Sequence, residues 1–253
     1  MAAAKGVGSV FIWVNVRLRN KSSVCLQLSA KVDTGADALV ISNKQCADLK
    51  LVCVGEGAYH DIGLTFKVYE GAEIEYMGRS AEIVVHGVVD LEKPLLGMSA
   101  ICALQVSIDI VGQNLILLTP YLRTPNIPKC IYADIKVWNY YKKQAVDFFH
   151  ANTSPAFKHY PQILVDTGAT TLIMSEEDVM HLNLGQPSRI DTLKSGTTSR
   201  DFKSYSGAVI EFPGRPLTAI MIYAVKNLRQ PVLGMLALTE LKVNINMQTS
   251  SVE

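Results

Sequence analysis

The stretch "AKVDTGADALVIS", Ala30–Ser42, places one aspartate between an apolar strand and a glycine turn. The stretch "ILVDTGATTLIMS", Ile163–Ser175, repeats this arrangement, and its aspartate follows the first by 133 positions. A single turn of this kind is ordinarily an Asx-turn that ends a strand. Two copies in one chain suggest instead that the two turns act together in one function.

Two longer alignments indicate that the whole chain is a tandem duplication. The segment "FKVYEGAEIEYMGR", Phe66–Arg79, aligns without gaps on "FKSYSGAVIEFPGR", Phe202–Arg215, with nine of fourteen positions identical. Further on, "PLLGMSAICALQVSIDI" from Pro94 aligns with "PVLGMLALTELKVNINM" from Pro231. Solenoid repeats have periods of roughly 20 to 50 residues, so a spacing this long indicates duplicated domains.

The segment between the halves is predicted to be a linker because it is rich in proline, which prevents regular structure. Its prolines are Pro120, Pro125 and Pro128. We therefore expect lobe 1 at 1–120, the linker at 121–128 and lobe 2 at 129–253.

Each half is predicted to be mostly antiparallel sheet, because its β-branched and aromatic residues alternate with polar ones. Short helices are expected at "SNKQCADLKL" and "SEEDVMHLNLG", where Ser42 and Ser175 are good N-caps. A second helix in each half is expected at "MSAICALQV" and "MLALTELKV". The predicted fold class is all-β with short helices.

The composition argues against several classes of function. A formal net charge of +1 lacks the basic excess of nucleic-acid-binding proteins. No apolar run reaches the roughly 18 residues that span a bilayer, and no secretion signal is evident, so no membrane association is expected. The five cysteines form no CxxC pair, which favours free thiols in a reducing, cytoplasmic compartment. Scattered histidines give no metal-ligand spacing, and neither metal nor cofactor is expected.

A pair of DTGA turns has a clear chemical use if the lobes pack about a pseudo-twofold axis. Asp33 and Asp166 would then meet and share one proton, because two adjacent carboxylates do not both ionise cheaply. The ionised partner can take a proton from water while the protonated partner polarises a carbonyl. The supporting residues are expected to be Gly35 and Gly168, which allow close approach, and the two threonines that follow the aspartates, whose hydroxyls can cross the axis. Those threonines are Thr34 and Thr167.

Each half carries a motif that we interpret as apolar-apolar-Asp-Thr-Gly-Ala with a downstream apolar-Leu-Gly. This combination resembles the retropepsin-like aspartic proteases, and the two copies together cover nearly the whole chain. The resemblance rests on Asp33–Ala36, Asp166–Ala169, Leu95–Gly97 and Val232–Gly234. It implies two pseudo-twofold-related retropepsin-like (acid protease) β-barrel lobes, with Leu95–Gly97 and Val232–Gly234 threading beneath the active-site turns. It implies a single-chain aspartic endopeptidase that acts on an extended segment of a peptide or polyprotein and works as a monomer by intramolecular lobe pairing.

The resemblance also implies a flap hairpin in each lobe, with tips at Gly57–Gly63 and Lys194–Asp201. Flap residues that could contact substrate, unless they are only exposed turn residues, are Tyr59, His60, Asp61, Ser195, Gly196 and Thr197. An extended peptide of roughly six to eight residues would pair with a flap by strand addition.

Three departures from the family pattern are evident. Ala36 and Ala169 stand where pepsin-like enzymes carry a hydroxyl, so a higher dyad pKa and an optimum near about pH 5 to 6 are expected. Met98 and Met235 follow the two Leu-Gly pairs, which leaves Asp37 without the ion-pair partner of retroviral enzymes. Lobe 2 ends in "VNINMQTSSVE", and a counterpart of the second terminal strand of lobe 1 is not expected there. Either lobe 1 supplies the terminal sheet asymmetrically or the chain belongs to a longer polypeptide.

Two alternatives to a single-chain enzyme stay open at this point. The chain could be a catalytically weak module that uses the same groove for peptide binding or assembly. Alternatively, two chains could assemble four lobes, with no pairing of lobes inside one chain.

Overall fold

Strands dominate the secondary structure of both halves. The computed structural model describes residues 11–59, 64–118, 130–149, 156–195, 198–247 and 249–253. The elements of the first half are β1 (Trp13–Asn20), β2 (Cys25–Val32), β3 (Leu39–Ser42), α1 (Asn43–Asp48), β4 (Val52–Tyr59), β5 (Leu64–Tyr76), β6 (Arg79–Val88), β7 (Leu95–Leu96), α2 (Met98–Ala103), β8 (Val106–Asp109) and β9 (Asn114–Leu117). Those of the second half are β10 (Tyr132–Asn139), α3 (Tyr140–Phe149), β11 (Phe157–Asp166), β12 (Leu172–Ser175), α4 (Glu176–Leu182), β13 (Arg189–Ser195), β14 (Thr198–Glu211), β15 (Thr218–Val225), β16 (Val232–Gly234), α5 (Met235–Leu241), β17 (Ile245–Asn246) and β18 (Ser251–Val252).

Each half closes into a six-stranded barrel with the same strand order. In the first half the order is β1-β2-β7-β3-β6-β5, and β5 pairs back with β1 to close the ring. In the second half the order is β10-β11-β16-β12-β15-β14, closed by β14 pairing with β10. The period-two pattern of the sequence explains the interiors, as in β1, where Val14, Val16 and Leu18 are buried and Asn15 and Arg17 are exposed. The predicted all-β fold of two lobes is confirmed.

The short strands β7 and β16 pass beneath the DTGA turns, as the resemblance implies. β7 runs parallel to β2 with Leu96 opposite Val32, and antiparallel to β3 with Leu95 opposite Val40. β16 makes the equivalent pairings with β11 and β12 in lobe 2. The end of the strand that carries each aspartate is therefore fixed by a neighbour inside the barrel.

A two-stranded hairpin extends from each barrel. β4 pairs with β5 and lies outside the closed ring, and β13 pairs with β14 in the same way. Tyr59 opposite Leu64 and Ser195 opposite Thr198 are the last pairs before the two tips. The tip residues 60–63 and 196–197 lie outside the described residues. The hairpins lie where the resemblance places the flaps.

Four short helices match the prediction. Ser42 caps α1 in a reciprocal capping box with Gln45, and the Ser175 hydroxyl accepts from the Asp178 amide at the start of α4. α2 and α5 begin directly after Gly97 and Gly234.

The helix α3 was not predicted. It is inserted between β10 and β11, whereas β1 and β2 are joined by a tight turn. The Asn139 side-chain oxygen accepts from the amides of Tyr141 and Lys142, so the start of α3 carried a capping signal.

The terminal strands of both lobes join one four-stranded sheet, in the order β18-β17-β8-β9. Ile108 of lobe 1 lies opposite Ile245 of lobe 2. The expectation that lobe 2 lacks its second terminal strand is wrong, because β18 pairs with β17 and Asn244 exchanges backbone hydrogen bonds of 2.8 and 2.9 Å with Glu253. A strand of two residues with one apolar side chain is too short to show alternation in the sequence.

Three further predictions concern the cysteines, membrane-spanning helices and the linker. The five cysteines are free thiols, and Cys46 and Cys102 are buried. No helix in the described part of the chain is both long and apolar enough to cross a bilayer. The linker at 121–128 lies outside the described residues, and the lobe boundaries stay a prediction.

Candidate active site

The two aspartates of the DTGA motifs lie at equivalent points of the two barrels. Asp33 follows β2, and Asp166 is the last residue of β11. The Asp33 amide donates to the Leu96 carbonyl of β7 at 3.0 Å, while Asp166 lies opposite Gly234 of β16. Only 9% of Asp33 is exposed to solvent, so its charge state is governed by its neighbours.

The two threonines that follow the aspartates fasten one lobe to the other. The Thr34 hydroxyl donates to the Val165 carbonyl at 2.8 Å and accepts from the Thr167 amide at 3.0 Å. The Thr167 hydroxyl donates to the Val32 carbonyl at 3.0 Å and accepts from the Thr34 amide at 3.0 Å. The reciprocity indicates an approximate twofold axis between the lobes and places the hydroxyls as the sequence predicts.

The glycines of the two motifs allow each turn to approach the opposite aspartate. A Cβ on Gly35 would lie 2.6 Å from the Asp166 side-chain carbon Cγ, and one on Gly168 would lie 2.1 Å from Asp33 Oδ2. Each carboxylate also accepts from its own turn, Asp33 from Gly35 at 3.1 Å and Asp166 from Gly168 at 2.7 Å. Asp33 and Asp166 are therefore brought together. Each carboxyl packs against the glycine of the opposite turn, where a side chain would collide with it.

The electrostatics of the pair favour one retained proton. Burial first, then the charge of Asp166 and a hydrogen bond to that carboxyl, raise the pKa of Asp33 to about 7 against the opposing charge of Lys31. A pair that holds one proton near neutral pH contains both a carboxylate base and a carboxylic acid.

The backbone beyond each dyad turn is held by the helix that follows β7 or β16. The Met98 amide donates to the Ala36 carbonyl at 2.8 Å, and the Met235 amide donates to the Ala169 carbonyl at 2.9 Å. A Cβ on Gly97 would lie 2.2 Å from the Ala38 carbonyl oxygen. The two alanines thus act through their backbone, and their methyl groups supply no hydroxyl to the carboxylates.

Lys31 is the residue near the dyad that the sequence analysis missed. Its Nζ lies 3.7 Å from Asp33 Oδ2 and donates to the Gly168 carbonyl of the other lobe at 3.1 Å. The ammonium also lies 4.7 Å from the centre of the Phe11 ring. The interpretation of both motifs as apolar-apolar-Asp is wrong for lobe 1, where Lys31 occupies the place that Leu164 holds in lobe 2.

The flap candidates are only partly placed by the structure. The Tyr59 hydroxyl lies 2.6 Å from His86 Nδ1, and the Phe66 ring stacks on His86 at 4.1 Å. Tyr59 is half-buried instead of exposed, and burial first, then the charges of Asp37 and Asp33, raise its pKa to about 12. His60, Asp61, Gly196 and Thr197 lie outside the described residues, and Ser195 is placed only by its backbone in β13.

The two flaps differ at their bases. In lobe 2 the positions that correspond to Phe66 and His86 hold Phe202 and Tyr223, whose rings meet edge-on at 6.1 Å. By strand pairing, the position that corresponds to Tyr59 is Leu193, because Gly57 lies opposite Phe66 and Asp191 lies opposite Phe202. Among the described residues, a tyrosine that is held by a histidine side chain near the dyad occurs only at the lobe 1 flap.

The site offers acid–base chemistry through its carboxyls. Within the described ranges, no three His, Cys, Asp or Glu side chains are grouped as a metal ion would require. No family model matches the chain, and no curated protein matches it. The basic 7S globulin from soybean aligns with 95% of this chain and 91% of its own length, at a TM-score of 0.47 and 10% identity. An alignment this remote says nothing about activity, so function has to be inferred from the site.

Thr34→Val is expected to destabilise the protein by about 2–5 kcal/mol, because it leaves the buried Thr167 amide and Val165 carbonyl without their hydroxyl partner. Thr34→Ser keeps the hydroxyl and should cost about 1 kcal/mol for the lost methyl group. Urea unfolding followed by tryptophan fluorescence measures both variants. Equal destabilisation by valine and serine would show that the hydroxyl does not join the lobes.

Proposed function

We propose that the chain is an aspartic endopeptidase in which Asp33 and Asp166, one from each lobe, activate water against a peptide bond. The supporting observation is the reciprocal packing of the two DTGA turns, in which Gly35 lies against Asp166 and Gly168 lies against Asp33. One retained proton supplies the acid and one ionised carboxyl supplies the base.

The proposed reaction needs only the two carboxyls and water. The ionised carboxylate accepts a proton from water as the water oxygen bonds to the carbonyl carbon, and the protonated carboxyl donates to the carbonyl oxygen. The carboxyl that gained a proton then gives it to the amide nitrogen, and the C–N bond breaks. The hydroxyl of the intermediate returns its proton to the dyad, which restores the starting state.

The proposed substrate is an extended peptide segment. Strand addition requires an unpaired backbone edge, and the β4–β5 and β13–β14 hairpins project from the barrels as the flaps of the proposed cleft. We propose Tyr59, His60, Asp61, Ser195, Gly196 and Thr197 as flap residues that contact the peptide. Pairing of both lobes within one chain makes a monomer the proposed working unit.

A catalytically weak peptide-binding or assembly module is the second candidate, and one contact favours it. The Lys31 ammonium bridges Asp33 and the Gly168 carbonyl, which places a cation at the dyad. If the ammonium stayed there with peptide bound, it would hold the carboxylate in an ion pair and limit its use as a base.

Cleavage of a mixed peptide library between about pH 4 and 7, with and without a statine-type inhibitor, separates the two candidates. Cleavage that the inhibitor blocks, and that is absent from Asp33→Asn, supports the endopeptidase. Inhibitor binding without cleavage supports the binding module. Titration should give one inhibitor per chain, and one per two chains would count against pairing of lobes within a chain.

Cleavage is expected to decline as the pH rises through about 7, because burial and Asp166 raise the pKa of Asp33 to about 7 and the shared proton is lost above it. The check is kcat/KM measured from about pH 4 to 9. Ala36→Ser should move this decline to lower pH, since an added hydroxyl stabilises the ionised carboxylate. A rate that stays level to pH 9 would contradict the proposed acid.

A further inference from the structure

The residue two positions before each catalytic candidate differs in charge between the lobes. Lys31 lies opposite Leu95 in the parallel pairing of β2 with β7, and Leu164 lies opposite Val232 in the equivalent pairing of β11 with β16. The neighbours Ala30 and Val32 are buried in the barrel, so strand alternation turns Lys31 to the same face as Asp33. The surface beside the dyad is therefore cationic on the lobe 1 side and apolar on the lobe 2 side.

The Lys31 ammonium is held close to the reacting groups. Its side chain is 18% exposed, and its ammonium lies 4.7 Å from the centre of the Phe11 ring and reaches Asp33 and the Gly168 carbonyl. An ammonium has three N–H donors, and the described residues give it these two polar partners. A partly desolvated cation whose polar partners are one carboxylate at 3.7 Å and one carbonyl still attracts a second anion.

A substrate carboxylate that approaches the dyad meets a charge of its own sign. The dyad with one proton carries one negative charge, which repels a substrate carboxylate unless a cation lies between them. Lys31 is placed to supply that cation on one side of the scissile bond. On the other side Leu164 offers only an apolar surface.

We propose that Lys31 makes the site selective for peptides with an aspartate or glutamate at one of the two positions that flank the scissile bond. The inference rests on the proposed peptide cleft. In the complex the ammonium keeps its hydrogen bond to the Gly168 carbonyl, turns from Asp33 and donates to the substrate carboxylate. The partner at the position beside Leu164 is an apolar side chain.

The test uses peptides that differ only in Glu, Gln or Leu at each flanking position. A matched set of statine-containing peptides, with the same three side chains, measures binding by calorimetry. The full chain should prefer Glu to Gln roughly 10- to 100-fold at one position, in kcat/KM and in Kd. Lys31→Leu, which copies lobe 2, should remove that preference, and Lys31→Arg should keep most of it.

Two controls separate the local charge from other effects. Lys44→Leu makes the same change in net charge on an exposed helix position, and should leave the Glu to Gln ratio unchanged. Leu164→Lys should create a preference for Glu at the opposite flanking position. If Lys31 only adjusted the pKa of the dyad, Lys31→Leu would change the pH profile equally for Glu, Gln and Leu peptides, and the proposed selectivity would be wrong.

The outcomes distinguish this inference from the proposed activity. Cleavage with a Glu to Gln ratio near one, or with a ratio that Lys31→Leu does not change, overturns the selectivity and leaves the endopeptidase standing. Binding of statine peptides with the Glu preference, but without cleavage, supports the selectivity and overturns the endopeptidase. Absence of both cleavage and binding overturns the two together.

Discussion

Asp166→Asn is expected to lower kcat/KM for peptide cleavage by at least about 1,000-fold, and Asp33→Asn should do the same. The reason is that base and acid are drawn from one pair, so a single carboxyl cannot fill both positions in one step. An amide preserves the size of the side chain and its ability to accept from the turn amides of Gly35 or Gly168. The loss therefore reports chemistry, and both variants should still bind a statine-type peptide.

The same variants carry a stability signature with a defined sign. The pKa of Asp33 in the folded chain is raised from 3.8 to about 7, so the folded state holds this proton more tightly than the unfolded state does. The resulting stabilisation is fully present below the unfolded pKa and is lost as the pH rises through about 7. Asparagine does not ionise, so Asp33→Asn does not lose this stabilisation as the pH rises. At about pH 8 the variant should be more stable than the unaltered chain by on the order of 1–3 kcal/mol.

Urea unfolding at about pH 4 and pH 8 checks the stability, and a single-turnover assay checks the chemistry. Substantial cleavage by either single asparagine variant would contradict a shared dyad. A stability gain at pH 4 as large as that at pH 8 would show that the aspartate pair is not the source. Asp48→Asn, on the exposed side of α1, is a matched control, because its carboxylate pairs with Lys44 at the surface.

The sequence predicts the parts of this site that are repeated. Both DTGA turns and the crossing threonine hydroxyls could be predicted because each occurs twice at corresponding positions, and the family resemblance supplied the strands that thread beneath the turns. Repetition turns a weak local motif into a statement about how two lobes meet. The capping serines Ser42 and Ser175 were likewise readable, since a cap depends on local chemistry.

The features that break the repeat were harder to predict. Lys31 lies in a strand whose pattern is otherwise apolar, and only the folded chain shows its ammonium against the carboxylate of its own lobe and a carbonyl of the other. The pairing of Tyr59 with His86 joins residues 27 positions apart across the β5 strand. Sequence periodicity reports which face a residue occupies, and it does not report what lies opposite that face.

Short elements formed by tertiary pairing were also missed. β18 exists because Ser251 and Val252 pair with β17, which itself adds to β8 of the other lobe. Two-residue strands have no measurable alternation, and their stability comes from the sheet they join.

Gly168→Ala is expected to lower kcat/KM by at least about 100-fold, and to destabilise the fold by about 1–3 kcal/mol. Its Cβ would lie 2.1 Å from Asp33 Oδ2 and 2.3 Å from the carboxyl carbon, distances that no real contact allows. Asp33 has little freedom to retreat, since it is buried and held by the Gly35 amide and Lys31. The collision therefore displaces the Asp33 carboxylate from its position beside the Asp166 carboxyl.

Gly55→Ala provides the matched control for stability, because a Cβ at Gly55 meets nothing within 4 Å. Its free energy of unfolding should be unchanged or slightly raised, as for a glycine replaced within a strand. Kinetics and urea unfolding of both variants separate a displaced dyad from a general cost of replacing glycine. A Gly168→Ala chain with normal kcat/KM would mean that the two turns do not meet as closely in solution, and the shared dyad would lose its structural basis.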